Sequence, residues 1–367
     1  MTKILAIAPY TYLPVESGGQ KYIARFFEHL GKLMPLFVVS TQKNQLPKNG
    51  SYQFFPLFSN SFLRYINPFN YFFLRKLIKK NHITHLLIEH PYMGWLAIIL
   101  AKTTGIKLIV QTHNIEYQRF KTLGKWWWPI LKIYETSILR NADKVTAITA
   151  NDLNFMQLKM GILSNKLLLV PFGTDCAEKP TNKQAAREML LKQYNIATNA
   201  HILLFNGAMN YEPNAAAAKV IVQQIVPSLL QKGIEFHCFI TGKNFPDSLL
   251  NNLPKSVTVT GFVEDIAIFF TGADVFLNTV TAGGGIKTKV IEALSYNCTV
   301  ISTKEGAIGI DLNLVENKLI ISDDNNWHFF TQKIIEVLQS PSSDINSQFY
   351  QQLHWPNVAK SFIDSII

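Results

Sequence analysis

Short apolar runs alternate with longer segments whose apolar residues recur at helical spacing along most of the chain. In the first half, runs of β-strand type lie at residues 3–8, 36–40, 85–88, 107–111, 145–149 and 167–170. The second half has comparable runs at residues 202–205, 236–241, 257–260, 275–277 and 299–302. Strands that alternate with helices are typical of a parallel sheet covered by helices on both faces. The pattern therefore predicts an α/β fold.

A change in composition divides this pattern into two parts. Residues 171–200 are polar and contain prolines, and the chain of 367 residues exceeds the length at which one hydrophobic core usually stops growing. We therefore predict two doubly wound domains, 1–176 and 177–347, that face a central cleft, the natural place for a ligand. Residues 348–367 are predicted to form a terminal helix that crosses back to the first domain.

The composition favours a folded protein of the cytoplasm. Hydrophobic residues make up 48% and charged residues 16% of the chain, as in globular proteins. Cys176, Cys238 and Cys298 are too few and too scattered for a disulfide framework or a zinc site, which indicates buried thiols in a reducing compartment. The amino terminus begins a strand instead of a signal peptide, and the longest apolar stretch, residues 93–101, is too short for a membrane span.

Positive charge is concentrated in the first half of the chain. The net charge is +10; residues 1–176 hold 21 Lys and Arg against 8 Asp and Glu, whereas residues 177–367 hold 14 against 17. The first half is therefore expected to meet an anionic partner. At residues 70–80 and 119–132, basic side chains interleave with aromatic and aliphatic ones, which suits an anionic membrane surface. Solvated helix faces with core tryptophans are the alternative, and no recognised motif favours nucleic acid.

Residues 281–303 carry the clearest chemical pattern. Gly283–Gly285 follow a predicted strand and precede a helical segment that opens with Lys287 and Lys289. Loop amides and the positive end of a helix can bind an anion at such a place. Positive side chains at a helix N-terminus are unfavourable by roughly 0.3–1 kcal/mol each, so a compensating anion is expected. The pattern predicts a bound diphosphate.

Two features of the first half are candidates for substrate contact. Gly18 and Gly19 close the loop after the first strand, and they mark either the start of a helix or a backbone loop that reaches a phosphate or sugar. His113 follows the strand at 107–111, and ligands bind at the carboxyl ends of such strands. A structural histidine, bonded near a loop, is the alternative for His113. Residues 89–91 (Glu-His-Pro) follow another strand in the same way.

These motifs, taken in order, resemble those of retaining, nucleotide-sugar-dependent glycosyltransferases of the GT-B fold, in the large group called family four. The resemblance covers nearly the whole chain and implies two Rossmann-like domains. Beyond the glycine pair, it rests on His113-Asn114-Ile115-Glu116, Ala142-Asp143 before Thr149 and Asp152, Val170-Pro171-Phe172-Gly173-Thr174-Asp175, the turn at 206–214, Gly261-Phe262-Val263-Glu264-Asp265, Ala273-Asp274 and GGGIKTKVIEAL. Each motif is short, but their order and spacing together are specific.

The resemblance implies roles for residues of the second domain. Glu292 would accept hydrogen bonds from the ribose of a nucleotide, while Lys287, Lys289 and the glycine-loop amides would neutralise its diphosphate. Val263 matches the loop beside the base, and Asn210 lies in the turn at 206–214 that would help to bind the donor. No cofactor or metal is expected, because positive side chains and helix ends take that place in this fold.

His113 would be the catalytic-site histidine near the transferred sugar, but two other positions depart from the family pattern. Many relatives carry another glutamate eight residues before the one that matches Glu292, and this chain has Gly284 there. Many also carry a basic pair in the turn where residues 207–214 have none. A subgroup shares both departures, so activity is still expected, while the identity of the sugar stays open.

The sequence thus predicts a glycosyltransferase that moves a sugar, with retention, from a nucleotide-diphosphate sugar to a glycan or lipid-linked acceptor in cell-surface polysaccharide or glycoconjugate synthesis. It would work in the cytoplasm, with the basic half on the inner membrane face. A nucleotide-sugar epimerase of the same fold is one alternative. A catalytically silent partner of another glycosyltransferase is a second, suggested by Gly284.

Overall fold

The computed structural model of the protein describes residues 2–46, 50–251, 253–341 and 343–367. The chain divides into two compact units. Unit 1 comprises Met1–Gly173 and Trp355–Ile367, and unit 2 comprises Thr174–His354. Each unit is an α/β domain with a parallel sheet, as the alternation of apolar runs predicts.

Within the described residues, unit 1 has a seven-stranded sheet in the order β3-β2-β1-β4-β5-β6-β7. Its strands are β1 (Ile4–Ile7), β2 (Leu36–Thr41), β3 (Gln53–Phe58), β4 (His85–Glu89), β5 (Lys107–Thr112), β6 (Lys144–Ala147) and β7 (Leu167–Leu169). Its helices begin with α1 (Gly18–Leu33), α2 (Asn70–Asn81), α3 (Gly94–Thr104), α4 (Glu116–Thr122), α5 (Trp128–Asn141) and α6 (Ala150–Met160). A 3-10 helix at Phe62–Tyr65 precedes α2.

Within the described residues, unit 2 has a six-stranded sheet in the order β10-β9-β8-β11-β12-β13. Its strands are β8 (His201–Asn206), β9 (Phe236–Thr241), β10 (Val257–Gly261), β11 (Val275–Asn278), β12 (Thr299–Thr303) and β13 (Leu319–Ser322). Its helices are α7 (Lys183–Gln193), α8 (Glu212–Val220), α9 (Val226–Gln231), α10 (Asp247–Leu250), α11 (Ile266–Gly272), α12 (Thr288–Ser295), α13 (Leu312–Val315), α14 (Trp327–Gln339) and α15 (Ser347–Leu353). The chain then returns to unit 1 as α16 (Trp355–Ile366).

Local sequence explains the elements at the centre of unit 1. The apolar strand β1 is buried along its whole length, because β2 and β4 pair with its two edges. Helix α1 begins after Ser17, whose hydroxyl accepts a hydrogen bond from the Gln20 amide. Its apolar side chains recur every three or four residues and form a buried face of Tyr22, Ile23, Phe26, Phe27 and Leu30.

Both sheets reverse their order beside their first strand. The reversal lies between β1 and β4 in unit 1 and between β8 and β11 in unit 2. In open parallel sheets, ligands bind outside the carboxyl ends of the strands at such a reversal. A functional site is therefore expected in the loops after these strands.

The structure differs from the prediction in two edge strands and at the carboxyl terminus. β3 and β13 are not predicted from the sequence; β3 contains Pro56, which is tolerated on an edge strand but masks the strand pattern. The sequence predicts one terminal helix over 348–367, but two helices form, separated at His354. Pro356 lacks the amide hydrogen that a continuous helix would need, so a new helix begins at Trp355. Within the described ranges, no helix is both long and apolar enough to cross a bilayer.

Candidate functional site

The glycine loop after β11 lies against the turn after β8, and these two strands pair with each other. Gly283 has a φ of +94°, and a Cβ atom at this position would collide with the Tyr211 hydroxyl. Gly285 has a φ of +74°. Both backbone conformations favour glycine. Gly284, by contrast, is exposed, and a Cβ there would have no described atom within 4 Å.

Lys287 holds this loop in its conformation. The side chain is buried, and Nζ donates hydrogen bonds to the carbonyl oxygens of Gly283 (2.5 Å) and Gly285 (3.1 Å). Nζ also lies 3.6 Å from Oε1 of Glu305. Burial lowers the pKa of Lys287, and the Glu305 carboxylate opposes this shift. Lys287 is also the N-cap residue of α12, and within the described residues no side-chain oxygen caps this helix.

Lys289 points from the first turn of α12 towards the turn after β8. Its Nζ donates a 2.6 Å hydrogen bond to Oδ1 of Asn214 and lies 4.6 Å from the ring centroid of Phe205. Nδ2 of Asn214 in turn donates to the carbonyl oxygen of Ala208. Burial, together with the nearby charge of Lys287, lowers the pKa of Lys289 to about 7. A lysine in this environment gains its charge readily when an anion binds beside it.

The other residues predicted to bind the donor also lie in unit 2, but they differ in their exposure and contacts. Glu292 is half-buried on α12, and its charge favours the protonated form of Lys289. Asn210 is exposed in the turn after β8, where Asn214, and not Asn210, contacts Lys289. Val263 is half-buried in the loop between β10 and α11. The glycine loop, both lysines and Asn214 thus form one constellation at the carboxyl ends of β8 and β11.

In unit 1, buried polar side chains cluster at the carboxyl ends of β4 and β5. Nε2 of His113 lies 2.7 Å from Oε2 of Glu89, and both side chains are buried. A carboxylate can only accept a hydrogen bond, so Nε2 carries the hydrogen. Burial and the adjacent His90 lower the pKa of His113, which favours the neutral ring. Nδ1 is then an acceptor, and it is buried with no hydrogen-bond partner among the described residues.

A second histidine–glutamate pair lies beside the first. Nδ1 of His90 lies 3.1 Å from Oε1 of Glu116, and the hydroxyl of Tyr92 donates to the other carboxylate oxygen at 2.7 Å. Burial would raise the pKa of Glu116, but the hydrogen bonds and charges of its neighbours outweigh it and hold the pKa at about 2. The rings of His90 and His113 are 4.3 Å apart between centroids. His90 therefore forms one wall of the space around His113.

The predicted glycine pair lies close to this cluster. Gly18 and Gly19 form the first turn of α1, which agrees with the helix-start interpretation. A Cβ at Gly19 would lie 3.7 Å from Nδ1 of His113 and 3.7 Å from the Tyr10 hydroxyl. The structure thus places Gly18, Gly19 and His113 in unit 1, with Gly19 beside His113, and it places the other predicted residues in unit 2.

Some contacts at these sites are not apparent from the motifs. The sequence does not identify Glu89 as the partner of His113, or Tyr211 and Asn214 as the contacts of the glycine loop and Lys289. Their positions in the fold are the signal that could have indicated the Glu89–His113 pair. Glu89 ends β4, and His113 follows β5, which pairs with β4 in the sheet. Within the described residues, no cluster of three or more His, Cys, Asp or Glu side chains is arranged to hold a metal ion.

Two parallel sheets whose strand order reverses define a Rossmann-like fold, and the glycine loop beside one of these reversals is suited to an anion. Comparisons with known proteins specify the class further. A family model described as Glycosyltransferase Family 4 matches residues 17–178, and one described as Glycosyl transferases group 1 matches residues 200–340. Together with the fold, these matches identify the chain as a glycosyltransferase enzyme of the GT-B type, and they confirm the predicted fold class.

Solved structures with the same fold align along almost the entire chain. A glycosyltransferase from Rickettsia africae has a TM-score of 0.73 at 16% identity, with 99% of this chain and 97% of that chain covered. Sucrose-phosphate synthase from Thermosynechococcus elongatus has a TM-score of 0.76 at 14% identity, with 99% and 98% covered. HepE from Anabaena, in complex with UDP and glucose, has a TM-score of 0.70 at 14% identity, with 100% and 99% covered. A search of curated protein sequences gave no match.

Proposed function

We propose that the enzyme transfers a sugar from a nucleotide-diphosphate sugar to a glycan or lipid-linked acceptor, with retention of configuration at the anomeric carbon. The product would contribute to a cell-surface polysaccharide or glycoconjugate, and the enzyme would work in the cytoplasm. Retention follows from the family that the sequence motifs resemble. HepE has been solved in complexes with UDP and with UDP-glucose, which makes UDP-sugars the first donors to test.

The environment of Lys289 is the observation that carries this proposal. A half-buried lysine with a pKa of about 7, beside a glycine loop and a helix start without a side-chain cap, suits a ligand that brings negative charge. When the bond from the anomeric carbon to the diphosphate breaks, its electron pair leaves with the diphosphate oxygen. The ammonium group of Lys289 and the α12 N-terminus would stabilise that charge.

Lys287 and His113 would have different roles in the same reaction. Lys287 already binds two loop carbonyl oxygens, so its main task would be to hold the glycine loop in the donor-binding conformation. Nδ1 of His113, as an unpartnered acceptor, would receive a hydrogen bond from a hydroxyl of the transferred sugar or the acceptor. Glu292 would bind the ribose hydroxyls.

Donor screening followed by product analysis tests the proposal. UDP-, GDP- and ADP-sugars are first compared by their effect on the melting temperature, because a ligand stabilises the folded state that binds it. The stabilising donor is then incubated with and without a glycolipid extract. We expect nucleoside diphosphate release and a glycosylated lipid with the donor's anomeric configuration, measured by NMR. Conversion of the donor alone into another sugar nucleotide would establish the epimerase alternative instead.

A further inference from the structure

Two segments of unit 1 expose large apolar side chains to solvent. Segment A, residues 61–80, exposes Phe62 (73%), Phe69 (75%) and Phe72 (68%). Segment B, residues 119–140, exposes Trp126 (81%) and Ile133 (74%). Further exposed apolar side chains in the same segments are Leu63, Ile66, Leu123 and Ile130. Exposed apolar residues are unremarkable singly, but a concentration of this size marks an interaction surface.

The same segments are strongly basic. Their sequences contain one acidic residue, Glu135, which is buried and accepts hydrogen bonds from the amides of Glu116 and Tyr117. It therefore presents no negative charge to solvent. The exposed cations of the two segments include Lys76, Lys79, Lys80, Lys121, Lys125 and Lys132.

Both segments rest on the same turn at the start of α3. The indole Nε1 of Trp95 donates a 2.8 Å hydrogen bond to the carbonyl oxygen of Tyr65 in segment A. The Trp95 amide donates to the hydroxyl of Tyr134 in segment B at 3.2 Å, and that hydroxyl donates to the carbonyl oxygen of Tyr92. These contacts connect segments A and B through Trp95, and we refer to the exposed side chains of the two segments together as the basic aromatic face.

We propose that the basic aromatic face docks on an anionic phospholipid bilayer. Aromatic and aliphatic side chains can enter the headgroup region, while the lysines around them bind lipid phosphates. A second copy of the chain is a poor partner for this face, because two identical clusters of lysines would repel each other. Nucleic acid could bind the lysines, but its phosphate backbone provides no apolar surface for Ile130 and Ile133. The inference goes beyond the proposed function, because vesicle binding does not depend on which sugar is transferred.

Co-sedimentation of the full chain with vesicles tests this assignment. We compare vesicles of phosphatidylcholine alone with vesicles that also contain phosphatidylglycerol, at low and high salt. The wild type should sediment with the anionic vesicles only, and salt should weaken binding. Removal of one lysine near the surface should weaken partitioning by about fivefold, so Lys125→Glu/Lys132→Glu should reduce it by well over tenfold. Trp126→Ser/Ile133→Ser should also lose most of the binding.

The matched control is Leu158→Ser/Lys159→Glu, which changes an exposed leucine and an exposed lysine on α6, outside both segments. It should bind as the wild type does. Absence of sedimentation with anionic vesicles at low salt would overturn the proposal, as would equal losses in the control and the face variants. So would a dimer, detected by sedimentation velocity, that the face variants abolish. Donor binding, measured separately, should be unchanged in all variants, so a failure here is distinct from a failure of the proposed function.

Discussion

At the scale of single residues, two neighbouring lysines have different tasks. Lys287 is bonded to the carbonyl oxygens of the loop and lies near Glu305, whereas Lys289 has only the neutral Oδ1 of Asn214 as its hydrogen-bond acceptor in the described structure. The sequence places both at the start of a helix but cannot separate them, because Asn214 and Glu305 reach them from other loops. We therefore expect a bound diphosphate to change the pKa of Lys289 more than that of Lys287.

Donor binding should be accompanied by proton uptake. With a pKa of about 7, Lys289 is mostly neutral at pH 8 in the free enzyme. A diphosphate beside it favours the charged form and raises the pKa, so binding at pH 8 should take up a proton, to a limit of about 0.9 per site. Calorimetry of nucleoside diphosphate binding in phosphate and in Tris buffer measures this uptake. The buffer dependence should disappear in Lys289→Met, and a wild type without it would contradict the assignment.

Glu89 should act as a positioning residue for His113. Its carboxylate fixes the hydrogen on Nε2 and leaves Nδ1 as an acceptor. Glu89→Gln can donate through its amide and so permit the other tautomer; we expect kcat to fall by about tenfold or more with little change in KM for the donor. Glu28→Gln, at a partly exposed carboxylate of α1, is the control. If kcat of Glu89→Gln equals that of the control, or if its effect adds fully to that of His113→Ala, the positioning role is refuted.

At the scale of elements, the glycine loop is shaped by its approach to the turn after β8. Gly283 has both a positive φ and a close neighbour in Tyr211, while Gly284 faces open space among the described atoms. The run of three glycines does not itself show which position needs a glycine conformation, and only the tertiary approach of the turn distinguishes them in this respect. Likewise, the apolar runs predict most strands, but edge strand β3, with its Pro56, lacks the regular pattern on which such a prediction depends.

Substitutions of Gly283 and Gly284 should therefore differ sharply in their effects on thermal stability and donor affinity. Gly283→Ala introduces backbone strain of roughly 1–3 kcal/mol and a collision with the Tyr211 hydroxyl, so both thermal stability and donor affinity should fall. Gly284→Ala should leave both nearly unchanged. The double variant Gly283→Ala/Tyr211→Phe removes the hydroxyl and should recover part of the loss. Equal melting temperatures and donor affinities for the two alanine variants would show that this loop is not held as described.

At the scale of the whole molecule, the sequence predicts the class of fold well. Alternating apolar runs predict two parallel sheets because buried parallel strands need continuous apolar residues. The partners of the functional residues depend instead on which strands become neighbours. His113 meets Glu89 because β4 pairs with β5, and Lys289 meets Asn214 because β8 pairs with β11. Sequence spacing alone carries no information about those pairings.

Calorimetric titration of UDP, GDP and ADP into the wild type, Lys289→Ala and Lys192→Ala tests whether Lys289 binds the diphosphate of the donor. Lys192 is exposed on α7 and serves as the control for loss of a positive charge from unit 2. We expect at least one nucleoside diphosphate to bind the wild type and Lys192→Ala equally. Lys289→Ala should bind it at least tenfold more weakly, as the loss of a charged hydrogen bond implies. Unchanged affinity in Lys289→Ala, or no binding of any nucleoside diphosphate, would refute the assignment of the donor site to Lys289 and the glycine loop.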